Sequence, residues 1–112
     1  MLVATTKDDL LQGTLDMMIL RVLSRGENHG WAIAQRIQGV SKKLLVVEEG
    51  SLYPALFRLE RQGWLESEWG QSEKQRRAKF YRLTRSGRTQ LDLLSESWDR
   101  KASAVALVMQ NA

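Results

Sequence analysis

The C-terminal quarter of the chain constrains the fold most. From Arg88 to Ala112 there is neither Gly nor Pro, and Leu91, Leu94, Trp98, Ala102, Val105 and Met109 recur at three- and four-residue steps. That spacing predicts a single helix from residue 85 to about Met109. Thr84 is its expected N-cap, with a hydroxyl that can accept an amide hydrogen bond the first turn otherwise leaves open. A helix of about 25 residues rises roughly 37 Å. A chain of 112 residues builds only a modest core. A helix of this length therefore reaches past that core and invites a partner helix.

Composition narrows the chemistry. The chain has no Cys and a single His, which removes disulfides, thiolate metal sites, a Cys nucleophile and any multi-histidine metal site within one protomer. No phosphate-cradling glycine loop is present, and Asp8-Asp9 and Glu48-Glu49 are only sequence neighbours. No enzyme activity, cofactor or metal is expected. The first twenty residues lack a basic start followed by an apolar run, and no stretch approaches the ~20 apolar residues of a membrane span. A cytoplasmic protein without a membrane partner is expected.

The remaining segments read in order. Leu11, Leu15, Met18, Ile19, Val22 and Leu23 share a helical face over residues 10–24, and Gly26 closes that helix. Trp31, Ile33, Ala34 and Ile37 stripe a short helix over 30–38 that Gly39 is expected to stop. Leu44 to Val47 is either a small strand or a loop tucked against the core. A third helix is expected over 51–62, with Ser51 and Pro54 in its first turn, Leu52, Ala55, Leu56 and Leu59 buried, and Gly63 ending it. Residues 64–69 and 78–83 alternate as strands, with a polar tip between them, which is a hairpin. Trp31, Trp64 and Trp69 are expected in the core and the wing packing, and His29 in a structural or exposed position.

Helix, short helix, turn, helix and hairpin form a winged helix-turn-helix order. The fold class is α+β, mostly helical, with residues 1–84 as the winged region and 85–112 as a C-terminal dimerisation helix, in one continuous domain. The formal charge of +4 is concentrated in residues 64–90, which hold seven basic and three acidic side chains. A helix fits the major groove of a DNA duplex, and a cation-tipped hairpin can follow the backbone beside it. On that reading residues 51–62 recognise DNA and residues 70–78 form the wing tip.

Two long stretches also carry a family resemblance. Residues 50–65, GSLYPALFRLERQGWL, and residues 77–87, RAKFYRLTRSG, resemble the recognition helix and the second wing strand of PadR-type transcriptional regulators. Leu15 through His29-Gly30-Trp31 is similar to the first two helices of that family, although many relatives have Tyr where His29 stands. The similarity spans roughly residues 9–110 and points to the short subfamily with one C-terminal helix. It implies a bacterial repressor, homodimeric through the last helix aided by the first, that binds a partly palindromic double-stranded DNA operator. It also implies release by a small aromatic or hydrophobic effector. A winged helix that binds protein rather than DNA is the alternative.

The resemblance assigns roles residue by residue. Ser51, Tyr53, Pro54 and Arg58 stand on the recognition helix, with Tyr53 facing DNA. Arg58 can contact guanine or phosphate, or else pair with an acid, while Tyr53 can instead pack under the wing. Arg61 either reaches DNA or pairs locally. Lys74, Arg76, Arg77 and Lys79 serve the wing, and Lys42 and Lys43 touch phosphates ahead of the helix. Leu11, Leu15, Leu91, Leu94, Trp98, Val105 and Met109 form the dimer contact. Trp98 also matches the position where drug-responsive relatives place a cavity aromatic, with Met18 as an adaptable wall and Asp99 favouring a cation. Plain packing is the other reading of Trp98.

Overall fold

The computed structural model describes residues 9–112, with side chains from residue 13 onward. The expectation about a leader in residues 1–20 therefore falls in its first part outside the described residues, as does that of Leu11 as a dimer contact. The elements are α1 (Asp9–Leu23), β1 (Asn28–His29), α2 (Gly30–Val40), α3 (Glu49–Arg61), β2 (Leu65–Gln71), β3 (Arg77–Leu83) and α4 (Arg85–Asn111). The winged helix-turn-helix order is thus realised, with β1, β3 and β2 forming one antiparallel sheet in that order.

The core is the meeting of the apolar stripes. Ile19 and Leu20 of α1, Ile33 of α2, Leu52, Leu56 and Leu59 of α3 and Leu65 of β2 are all fully buried. Truncating any of these leucines to Ala is worth about 2–5 kcal/mol. Leu45 and Val47 pack against this cluster from the connector, which is a loop rather than a strand. Gly39 does not end α2, which runs on to Val40; the turn follows at Lys42 and Lys43, whose φ values are 57° and 67°.

Two local features, β1 and the start of the third helix, depart from the sequence expectation, and His29 takes a structural position. β1 is a two-residue strand, and no periodicity can announce so short an element; it exists through its pairing of Asn28 with Tyr81 and His29 with Phe80. His29 also caps α2, its Nδ1 accepting from the Ala32 amide at 3.4 Å, and its ring meets Phe80 edge-on at 5.4 Å. The third helix starts at Glu49 with Glu48 as N-cap, so Pro54 lies inside it rather than in its first turn. The missing Pro54 amide would have bonded the carbonyl of Gly50, an exposed position near the helix start.

Thr84 caps α4 as its sequence position requires, accepting from the Gly87 amide at 3.0 Å. The helix then leaves the body. Leu91 is buried among the core leucines and Leu94 packs against them, whereas every residue from Trp98 onward is exposed. The roles of Leu15 and Leu91 as dimer contacts are corrected: each is only 4% exposed within the protomer's own core, so neither has surface left for a partner.

Candidate nucleic-acid interface

α3 buries Leu52, Ala55, Leu56 and Leu59 and leaves Tyr53, Pro54, Phe57 and Arg61 exposed. These last four share the face opposite the core because residues three and four apart stack on one side of a helix. The Arg61 guanidinium lies 5.7 Å from the Phe57 ring centroid, a cation–π contact four residues apart and so a local pair. The exposed Phe57 was not singled out by sequence reasoning. Its phase on the α3 wheel, shared with Arg61 and Pro54, is the signal that could have found it.

Arg58 takes the second of its two readings. It lies on the α3 flank toward α1, where its Nη2 donates to Asp16 Oδ1 at 2.6 Å. Burial raises the Asp16 pKa above 3.8 even though Arg58 beside it acts the other way. Removing the carboxylate from water therefore outweighs the attraction of its partner.

The hairpin sorts its charges by face. In the observed register Trp69 opposes Lys79, Ser67 opposes Tyr81 and Gln71 opposes Arg77, so alternation puts these six on one side. Glu66 opposes Arg82 on the other side. There Arg82 bonds Glu66 at 3.1 Å and Glu68 at 3.0 Å and reaches Glu27 at 3.4 Å. Two of the three wing acids, Glu66 and Glu68, are thus gathered around one Arg on the back, while Arg77 and Lys79 lie on the front with Glu73 at the tip.

Not all front cations are available. Lys79 Nζ is 3.3 Å from Glu60 of α3, and Ser67 Oγ donates to the same carboxylate at 2.6 Å. That pair ties the wing to α3, so Lys79 has a structural partner. Arg77 lies over the Trp69 ring at 4.6 Å. Lys74 and Arg76 are exposed in the 72–76 loop, which is closed by the Ser72 amide donating to the Arg76 carbonyl at 2.8 Å and turns through Gln75 at φ 61°.

Between the front of the wing and the starts of α2 and α3 lies a cleft of about 740 Å³. Tyr53 stands in it, 43% exposed, its phenol pKa raised by burial and by Glu49. The ring fits closely over Gly30: a Cβ added there would lie 2.8 Å from Tyr53 Cε1. Trp31 and Trp69 also line the cleft; at 55% and 57% exposed neither is in the core, and Trp69 takes the wing-packing place that was the other expectation, under Arg77. Trp64 alone of the three is half-buried and packed on the core.

Lys42 and Lys43 are exposed in the turn after α2 and do not line the cleft. Asp99 is exposed beside Trp98 on α4, and Met18 is half-buried against the core. No helix among the described residues is long and apolar enough to cross a membrane, and no described group of three or more His, Asp or Glu side chains could hold a metal.

Comparison with known proteins gives a consistent result. A family model described as the transcriptional regulator PadR-like family matches residues 19–93. An uncharacterised protein of Lysinibacillus sphaericus is 28% identical over 104 residues, covering 93% of this chain and 95% of that one. A solved transcriptional regulator from Clostridium thermocellum is 30% identical with a TM-score of 0.81, over 88% of this chain and 96% of its own. A PadR-like transcriptional regulator from Bacillus cereus is 27% identical with a TM-score of 0.78, over 94% of this chain and 100% of its own.

Proposed function

The chain belongs to the PadR-like family of transcriptional regulators, and on that premise we propose that it is a homodimeric repressor that binds a partly palindromic operator and is released by a small aromatic or hydrophobic effector. The observation that carries the DNA-binding part is the segregation of charge on the wing. Arg77 and Lys79 face the recognition helix while Glu66 and Glu68 are held around Arg82 on the reverse. A duplex approaching α3 meets Arg77 and the tip cations Lys74 and Arg76 with Glu73 as the one wing acid on that side, and is kept from Glu66 and Glu68.

In this arrangement Ser51, Tyr53, Pro54 and Arg61 face the major groove from α3. Lys74, Arg76 and Arg77 follow the adjacent backbone, and Lys42 and Lys43 add phosphate contacts. Arg58 is held by Asp16 and contributes by fixing α3 against α1. The dimer forms along Trp98, Val105 and Met109, which continue the stripe that Leu91 and Leu94 begin inside the protomer. Two recognition helices then meet half-sites one helical turn apart, about 34–36 Å. The effector sits at Trp98, where a planar ligand can stack as the stripe leaves the core, with Asp99 next to it on α4 and Met18 of α1 as an adaptable wall.

Selection of bound duplexes from a random pool, followed by titration at several salt concentrations, tests this reading. A two-fold related consensus and a steep fall of affinity with salt are expected, with the slope reduced by about four when Arg76 and Arg77 are both changed to Ala in the two protomers. Absence of any selected duplex, or salt-independent binding, refutes it and favours a protein-binding winged helix.

A further inference from the structure

The cleft between wing and helices has an unusual lining for a phosphate-facing surface. Three large aromatic side chains, Trp31, Tyr53 and Trp69, are each at least 43% exposed and border the same space. A single exposed aromatic needs no explanation, but three around one cleft make an apolar patch that calls for an occupant. The rim is cationic, with Lys74, Arg76 and Arg77 against the one acid Glu73, while Lys79 is neutralised by Glu60. The occupant must therefore present apolar surface and negative charge together.

One strand of a DNA duplex does so repeatedly, because each phosphate is flanked by the apolar face of a deoxyribose. Base faces are stacked and hidden in a duplex, so aromatic walls here meet sugar, not bases. We propose that this cleft seats the sugar-phosphate backbone of one operator strand, with Trp31 and Trp69 as its apolar walls and the wing cations on its phosphates. The proposal rests on the duplex-binding reading above and adds residues to it that are neither on the recognition-helix face nor charged.

The two tryptophans act differently. Trp31 stands one residue into α2, beside the buried Gly30 over which Tyr53 lies, so its position follows from that packed helix start. Trp69 lies on β2 with the Arg77 guanidinium 4.6 Å from its ring centroid. Stacking holds that cation at the mouth of the cleft and lowers the ordering entropy it gives up on meeting a phosphate. Glu60 holds Lys79 at 3.3 Å and keeps the wing, and with it Trp69, at a fixed distance from α3.

Salt dependence separates this role from that of the charged residues. An apolar wall releases no counterions, whereas a cation on a phosphate does. Trp31→Ala should weaken binding to the selected duplex about tenfold at every salt concentration, leaving the slope of log K against log salt unchanged. Trp31→Phe should retain most of the affinity. Arg76→Ala, which removes one cation from each protomer, should instead reduce the slope by about two. Because Trp31 and Trp69 are more than half exposed, the Ala variants should melt close to the wild type.

A second readout is independent of affinity: duplex should shield tryptophan fluorescence from acrylamide in the wild type and lose that effect in Trp31→Ala/Trp69→Ala. Wild-type affinity in both single variants, or tryptophans equally quenched with and without duplex, overturns the proposal while leaving duplex binding intact. So does tighter binding of the corresponding single strand that depends on Trp69, which would assign the cleft to unstacked bases. Failure of the wild type itself to bind any duplex would overturn the underlying reading.

Discussion

Replacing Gly87 by Ala is a sharp test because two general arguments give it opposite signs. Gly87 lies in the first turn of α4 with no left-handed φ, and in an ordinary helix Gly→Ala is stabilising by up to about 1 kcal/mol. Here an added Cβ would stand 2.0 Å from the carbonyl oxygen of Trp64 and 2.8 Å from Leu83 Cδ1. The leucine methyl can turn away, but the carbonyl cannot. It belongs to backbone entering β2 and accepts from the Thr84 amide at 3.1 Å. Relief requires α4 and the base of the wing to part, which costs about 1–3 kcal/mol for overpacking and about 1 kcal/mol more for the Thr84 bond. The net expectation, after the ordinary Gly→Ala gain is set against these, is a loss of about 2 kcal/mol and a fall in Tm on the order of 10 °C. Urea and thermal unfolding followed by circular dichroism, at one fixed protomer concentration, measure it. Gly39→Ala is the control, since nothing lies within 4 Å of its added Cβ, and it should stabilise by about 0.5–1 kcal/mol. A Gly87→Ala protein as stable as the wild type would refute the close contact between helix and wing.

Three further perturbations address the α1–α3 pair and the protruding helix. The folded-state pKa of Asp16 is raised above 3.8, so ionising it disfavours the fold, and the penalty is absent at lower pH and grows as pH rises through that window. The urea midpoint of the wild type relative to Asp16→Asn should therefore fall between pH 3 and pH 7; a rise would contradict the sign. Arg58→Ala leaves Asp16 without its cation and should cost about 1–2 kcal/mol at pH 7 by the same unfolding assay, with no loss if the pair is idle. Val105→Asp with Met109→Asp, at positions 60% and 78% exposed, should leave a folded 12.8 kDa monomer in sedimentation where the wild type is twice that mass, and an unchanged mass would remove the helix pairing.

What the sequence disclosed followed from repetition. The apolar steps of α3 and α4 located those helices because a buried stripe must recur every three or four residues, and the alternation of residues 78–83 located β3 for the matching reason. β1 has two residues, too few for any period, and exists only through its partner strand. The start of α3 was displaced because Ser51 and Pro54 offer a strong local start signal, while Glu48, with no side-chain cap bond, offers none. In the candidate site, single-residue chemistry marked the cations but not their partners. Asp16 is 42 residues from Arg58, a distance across which helical or strand periodicity carries no information. Trp31 misled for a related reason: a large aromatic usually signals core, and only the cleft geometry distinguishes Trp31 and Trp69 from Trp64.

The stripe along α4 shows how one periodic feature is divided between folding and assembly. Gly87, Leu91 and Leu94 share a face with Trp98, Val105 and Met109, since all follow the same three- and four-residue steps. The protomer covers the first three and leaves the second three in solvent. A helix interior is stiff over this length, so the contact that orients the exposed half is the one that seats the buried half. That contact is Gly87 against the Trp64 carbonyl, at the root of the wing. The same few atoms thus set the angle between the exposed stripe and the wing's cationic face. In a dimer formed along that stripe, a small tilt at Gly87 would be magnified over the length of α4 into a change in the separation of the two recognition helices. The operator spacing that such a dimer selects is then encoded where the helix meets the hairpin, well away from any residue that touches a base.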